Sequence, residues 1–329
     1  MSMPDRGGHI FGPVHSGRLG ASLGLDLLGA KICSFDCLYC EVGATLALTA
    51  SRKPYVPVGK ILTELAGWLS GPHPAFDVVT LGGMGEPTLN SDMGAIIKGV
   101  RGLIPNVPVA VLTNSSLLRD PRVRTELALA DIVLPSMDTL VPVEFVRLNR
   151  PKTGVTLVDI RRGLLEFRAL YPGRLYLEVL LLSGVNDSEE NLARLRDFCQ
   201  ELRPDRVDVV TMTRPGAYPE AIPALAAAME RFRKALNPAG LGATRPEVPE
   251  KARHFAASPL DNTPFEALDT LRIRILDSLS RRPQTAASLA ESLGVSEQTL
   301  TNLLDGLVAC ELVKPSRFGN ETFYMRNAG

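Results

Sequence analysis

The order of apolar and polar positions divides the chain into two parts. From residue 23 to 265, short apolar runs alternate with stretches of helical period. Candidate strands are Leu23–Leu28, Asp77–Gly82, Val107–Thr113, Asp131–Pro135, Leu175–Leu182 and Arg206–Met212. Several are apolar almost without interruption, as expected of parallel strands covered on both faces. Between them, Val58, Ile61, Leu62, Leu65, Trp68 and Leu69 form one helical stripe. Leu192, Leu195, Phe198, Cys199 and Leu202 form another. Six strand–helix units predict an α/β fold with a parallel sheet, either open and doubly wound or curled into a partial (β/α)6 barrel.

Residues 237–265 change character: Pro238, Pro246, Pro249, Pro259 and Pro264 interrupt the pattern, and Gly240 and Gly242 add turns. This stretch is expected to be a linker. A compact pattern returns over 266–329. Leu268, Leu271, Ile275, Leu276 and Leu279 line one helix; Thr285 to Leu293 reads as a second, ended by Gly294. Ser296 is placed to cap a third, with Leu300, Leu303, Leu304 and Leu307 as its apolar face. Gly319-Asn320 then turns a two-stranded hairpin. Three helices and a hairpin resemble a winged helix-turn-helix domain.

Composition narrows the class. The 329 residues are 45% hydrophobic and 22% charged, which fits a globular protein and excludes disorder and small disulfide scaffolds. Lys plus Arg and Asp plus Glu both total 36, so no global basic field attracts nucleic acid or an anionic membrane. The first residues lack an apolar secretory core, and no run of about 20 apolar residues occurs, so a cytoplasmic protein without membrane contact is expected.

Of five cysteines, Cys33, Cys37 and Cys40 fall within eight residues. Three thiolates on one short loop suit an iron–sulfur cluster, or a zinc ion completed by His9, His15 or His254. They follow the first predicted strand, at the edge where parallel α/β proteins build their sites. The next strand ends offer Gly82-Gly83-Met84-Gly85-Glu86-Pro87, Thr113-Asn114 and Pro135-Ser136-Met137-Asp138. Glu178 stands inside an apolar strand, where a carboxylate needs a partner: an arginine or a ligand hydroxyl. Cys199 and Cys310 lie on apolar helical stripes and are expected to be small buried hydrophobes.

The spacing Cys33-x3-Cys37-x2-Cys40, with Tyr39 before the last cysteine, resembles the signature of the radical S-adenosylmethionine (radical SAM) superfamily. Gly12-Pro13-Val14, Arg18-Leu19-Gly20, Tyr55-Val56-Pro57 and Leu148-Asn149-Arg150-Pro151 are similar to an uncharacterised subgroup related to wyosine-base synthases. Gly184-Val185-Asn186-Asp187 is similar to the molybdenum-cofactor GTP cyclase branch. The likeness covers roughly residues 10–215. It departs at His15, Gly17 and Glu41, and at Ser115, where relatives often carry glycine.

The resemblance implies a partial barrel over residues 1–236, one [4Fe-4S] cluster on Cys33, Cys37 and Cys40, and bound S-adenosyl-L-methionine. It assigns the cofactor to Tyr39, Gly83, Gly85, Glu86, Asn114, Ser136, Asp138 and Glu178. It implies reductive cleavage to a 5′-deoxyadenosyl radical that takes hydrogen from an RNA base, a small metabolite or a protein side chain. An electron donor such as flavodoxin or ferredoxin is then needed. No further cysteine set is present for a second cluster. Arg18, Arg147, Asn149, Arg150 and Arg214, near the expected active-edge loops, are candidate substrate contacts, suited to an anionic group.

Residues 266–329 hold seven basic and eight acidic residues, and Ser296 to Cys310 has no Lys or Arg. Phosphate contacts dominate nucleic-acid affinity, so DNA is disfavoured as a partner. A protein or peptide fits better, while Lys314 and Arg317 leave RNA open. The rival to an enzyme is an iron–sulfur or zinc redox-sensing regulator that uses its winged helix.

Overall fold

The six apolar runs become the six parallel strands of one sheet. A computed structural model describes residues 8–237 and 266–327. The parallel strands are β2 (Gly20–Leu25), β5 (Val78–Leu81), β6 (Val109–Thr113), β7 (Ile132–Pro135), β8 (Arg174–Leu181) and β9 (Arg206–Thr211), hydrogen-bonded in that order. The predicted boundaries hold within about three residues. The linker expected over 237–265 falls, beyond Asn237, outside the described residues, as does His254.

Two pieces were not anticipated. Strand β1 (Ile10–Ser16) pairs antiparallel with β2 at the sheet edge, with an irregular register between Phe11 and Val14. Its proline and glycine break any two-residue alternation, and an edge strand tolerates both. A two-residue strand at the cysteines, β3 (Ile32–Cys33), pairs parallel with β4 (Ala47–Leu48) and closes the loop between them.

Alternate residues of the parallel strands serve two cores. Leu23, Leu25, Val79, Leu81, Val109, Val111, Leu177 and Val179 face the covering helices in the main core. These helices include α1 (Val58–Ser70), α2 (Met93–Leu103), α5 (Leu157–Leu170) and α6 (Glu189–Leu202). Val78, Ala110, Ile132, Leu134 and Tyr176 meet Leu19 on the other face. Burial on both faces explains the unbroken apolar runs. The sheet must also curl. Arg18, in the β1–β2 turn, forms an ion pair with Glu178 on β8. In a flat sheet four strand steps would separate these elements by about 19 Å. The curl is the partial barrel.

Residues 266–327 form a second core from Leu271, Ile275, Leu279, Leu289, Leu300, Leu304 and Val313. Helices α8 (Glu266–Arg281), α9 (Ala286–Leu293) and α10 (Glu297–Ala309) precede the hairpin β10 (Val313–Phe318) and β11 (Glu321–Arg326). Thr285 and Ser296 cap α9 and α10, each accepting a hydrogen bond from the backbone three residues on. Cys310 is exposed at the C-cap of α10, correcting its expected burial, whereas Cys199 is buried. The helix ends one residue before Cys310, so the apolar stripe does not reach it.

The two units touch. Helix α9 lies against β1. The buried Arg281 donates to the carbonyl of Gly8 at 2.6 Å, and its guanidinium lies 4.6 Å from the centre of the Phe11 ring. Its Nη1 is 3.9 Å from the carboxylate of Asp26. Burial raises the Asp26 carboxyl above the ordinary carboxylate range, opposed by the Leu28 N–H and by Arg281. A raised carboxyl holds its proton more tightly in the native chain than in the unfolded one. Its contribution to stability is therefore present below the unfolded value and lost as pH rises through the native one. Asp26→Asn should compare more favourably with wild type at pH 7 than at pH 4 in urea denaturation. An equal difference at both pH values would contradict this assignment.

Candidate active site

The cysteine loop is fixed at both ends before it offers any chemistry. Ile32–Cys33 is held by β4. The Cys40 N–H donates to the Cys37 carbonyl, and Thr45 donates its hydroxyl to the Phe35 carbonyl and its N–H to Asp36. The loop stands at the C-terminal edge of the parallel sheet, with the segments that follow β5, β6 and β7 around it.

Each cysteine sulfur faces one N–H donor from outside the Cys33–Cys40 turn. Asn114 Nδ2 is 3.5 Å from Cys33 Sγ, Asn149 Nδ2 is 3.5 Å from Cys37 Sγ, and Lys31 Nζ is 2.9 Å from Cys40 Sγ. Burial pushes the Cys33 thiol up to about 11, offset in part by Lys31, and the Cys37 thiol well above its ordinary value. Thiols must lose their protons to bind metal, so loading this loop releases protons. Among the described residues no group of three His, Cys, Asp or Glu side chains is placed to hold a single metal ion. A cubane would take one thiolate on each of three irons, whereas a zinc ion would need a fourth ligand beside the same three.

Behind the sulfurs lies a buried polar network. Tyr39 donates its hydroxyl to Asp138 Oδ2 at 2.6 Å, Asn149 donates to the same oxygen at 3.0 Å, and the Leu180 N–H donates to Oδ1 at 3.0 Å. Burial raises the Asp138 carboxyl, opposed by those three donors. Glu86 is buried as well, its carboxylate accepting from the Thr88 N–H and hydroxyl, the Thr113 hydroxyl and the Asn114 N–H. This pins the end of β6 to the loop after β5. The Glu86 N–H in turn donates to the Ile32 carbonyl, and Gly85 approaches so closely that a β-carbon there would lie 1.8 Å from that oxygen. Gly83 adopts φ +117°, which glycine alone accommodates readily.

Tyr39, Asn114, Ser136, Asp138 and Asn149 line one cleft, with Phe35, Met137, Phe145 and Ile160 as apolar walls. Ser115 beside it has φ +67° and donates its hydroxyl to the Ser136 carbonyl. Glycine takes a left-handed backbone without strain, and here the hydroxyl bond offsets its cost for serine.

Of the five candidate substrate contacts, Asn149, Arg150 and Arg214 touch the cysteine loop, at Cys37, Asp36 and Glu41. Arg18 lies in the turn before β2, which the unpredicted β1 makes a hairpin, and its side chain reaches across the curled sheet to Glu178. Its pair with Glu178 gives that carboxylate a partner within the chain. Arg147, in α4 (Pro142–Asn149), is exposed and donates to the Gly184 carbonyl. Arg150 lies over the Tyr218 ring and 3.7 Å from Asp36. Arg214 is 3.3 Å from Glu41 and donates to the Pro283 carbonyl. Asn149 turns inward to Cys37 and Asp138.

Sequence reasoning passed over Lys31 and Thr88, and named Thr113 only as a strand end. For Lys31 a signal was there, a lone cation in the run Leu27-Leu28-Gly29-Ala30-Lys31-Ile32.

Comparison with known proteins follows the same lines. Residues 28–196 match the family model of the radical SAM superfamily, and residues 269–314 match that of the bacterial regulatory protein, arsR family. A UPF0026 protein of Synechocystis is 38% identical over 207 residues, 63% of this chain and 76% of that protein. A Brachyspira hyodysenteriae protein named GTPase Obg is 33% identical over 300 residues, 91% of this chain. The chain spans only 42% of that protein's length, and it contains no Gly-x4-Gly-Lys-Ser/Thr phosphate loop. Among solved structures, a radical SAM methyltransferase from Sphaerobacter thermophilus shares the fold, with TM-score 0.50 and 16% identity over 67% of this chain and 64% of that one. Among the described residues no helix is long and apolar enough to cross a membrane.

Proposed function

Because the chain belongs to the radical SAM superfamily, we propose that this enzyme holds one [4Fe-4S] cluster on Cys33, Cys37 and Cys40 and cleaves S-adenosyl-L-methionine there. The donor set carries this assignment: three thiols on one loop, each facing an N–H group, beside a cleft with polar and apolar walls. When bound, the cluster and cofactor supply electron transfer and carbon–sulfur cleavage, giving a 5′-deoxyadenosyl radical that removes hydrogen from a substrate.

The chain's own residues bind, orient and exclude water. The backbone of Gly83, Gly85 and Glu86 would meet the methionyl amino group. Asn114, Ser136 and Asp138 would hydrogen-bond the rest of the cofactor, with Tyr39 and Asn149 holding Asp138 in place. Phe35, Met137, Phe145 and Ile160 would keep the cleft dry. A one-electron donor of the flavodoxin or ferredoxin class would dock near Cys40, which is partly exposed. The redox-regulator alternative has less support, because α10 offers phosphates no cation.

The test is anaerobic reconstitution with iron and sulfide, reduction, and electron paramagnetic resonance with and without S-adenosylmethionine. A cubane signal that shifts on adding the cofactor, together with 5′-deoxyadenosine formation, is the expected result. A chain that forms no cluster, or one indifferent to the cofactor, would sink the proposal.

A further inference from the structure

Lys31 is a buried ammonium without a carboxylate. Its side chain lies within the fold at 5% exposure, and among the described residues it forms no ion pair with Asp or Glu. An isolated buried charge is costly unless it is compensated. The compensating partner within reach is Cys40 Sγ, at 2.9 Å. The backbone keeps the side chain aimed there: the Lys31 carbonyl accepts from the N–H groups of Leu46 and Ala47, so the residue is clamped where β3 meets β4. The other two sulfurs receive neutral amides, from Asn114 and Asn149. One sulfur of three therefore has a full positive charge within hydrogen-bond reach.

We propose that Lys31 is a positioning residue that sets the reduction potential of the cluster by holding a permanent positive charge against the Cys40 ligand. This rests on the cluster assignment above. Three thiolates make the site anionic, and accepting one electron from the donor protein makes it more so. A fixed cation favours the reduced form, and an N–H donor to a ligand sulfur acts in the same direction. No bond changes at Lys31 and no proton is transferred there; its charge alone is used.

The experiment is a redox titration of the reconstituted protein, followed by electron paramagnetic resonance without S-adenosylmethionine, for wild type, Lys31→Met and Lys31→Arg. Iron content and cofactor-induced spectral shifts are measured on the same samples. Lys31→Met should load iron fully, yet at a fixed potential show about tenfold less reduced cluster, a fall of about 59 mV. Lys31→Arg should titrate close to wild type. If Lys31→Met does not retain iron, Lys31→Gln repeats the comparison with a neutral N–H donor, and its potential should also fall. A fully loaded neutral variant with the wild-type potential overturns the proposal while leaving the cluster assignment intact. An equal fall in Lys31→Met and Lys31→Arg also overturns it, since charge would not be the cause. A wild-type chain that takes up no cluster removes both.

Discussion

Cys37→Ala is expected to abolish cluster loading and with it the cleavage of S-adenosylmethionine. The fall should be on the order of a thousandfold or more, as when one member of a catalytic unit is removed. Cys37 stands between the other two ligands in a turn closed by the Cys40 N–H, so no neighbouring group can take its place. Iron content, visible absorbance and 5′-deoxyadenosine formation should all collapse together. Cys199→Ala and Cys310→Ala should keep all three, because one thiol is buried in the barrel core and the other is exposed on the winged-helix unit. Asn149→Ala should fall between, about 10- to 100-fold down, the usual cost of losing a group that supports a metal ligand. Full activity in Cys37→Ala would exclude the proposed ligand set.

Gly85→Ala should cost about 3 kcal/mol in urea denaturation and eliminate cofactor binding. A β-carbon there would sit 1.8 Å from the Ile32 carbonyl oxygen and 2.7 Å from its carbon. Both are backbone atoms, one residue from Cys33, so neither can rotate away. The chain must separate the glycine loop from the cysteine strand and lose the Glu86 to Ile32 hydrogen bond. Gly67→Ala is the matching control. It lies inside α1 with nothing within 4 Å of the added carbon, and should stabilise by roughly 0.5–1 kcal/mol. A Gly85→Ala chain as stable as wild type would refute the close packing of these loops.

Much of this was legible in the sequence because both faces of the parallel strands are covered. Leu23–Leu28 and Leu175–Leu182 stand out as apolar runs for that reason. The cysteine loop was legible because its ligands are adjacent in the chain. Strand β1 was not, since Gly12 and Pro13 disrupt it and only its partner β2 organises it. The hairpin turn that carries Arg18 was missed with it. Asn149 was singled out, but its bond to Cys37 spans 112 residues and follows from the tertiary fold alone. The Glu86 network likewise gathers Thr88, Thr113 and Asn114 from two strand ends, and no local pattern marks the threonines.

The irregular outer strand has a consequence for how the molecule behaves in a crowded solution. A barrel left open has two free strand edges, and a free edge invites pairing with another chain. At β1 the invitation is weakened: Pro13 has no N–H to offer, the register breaks between Phe11 and Val14, and α9 and Arg281 lie against the strand. The winged-helix unit thus guards the barrel against edge-to-edge aggregation, a service independent of any partner that its third helix meets.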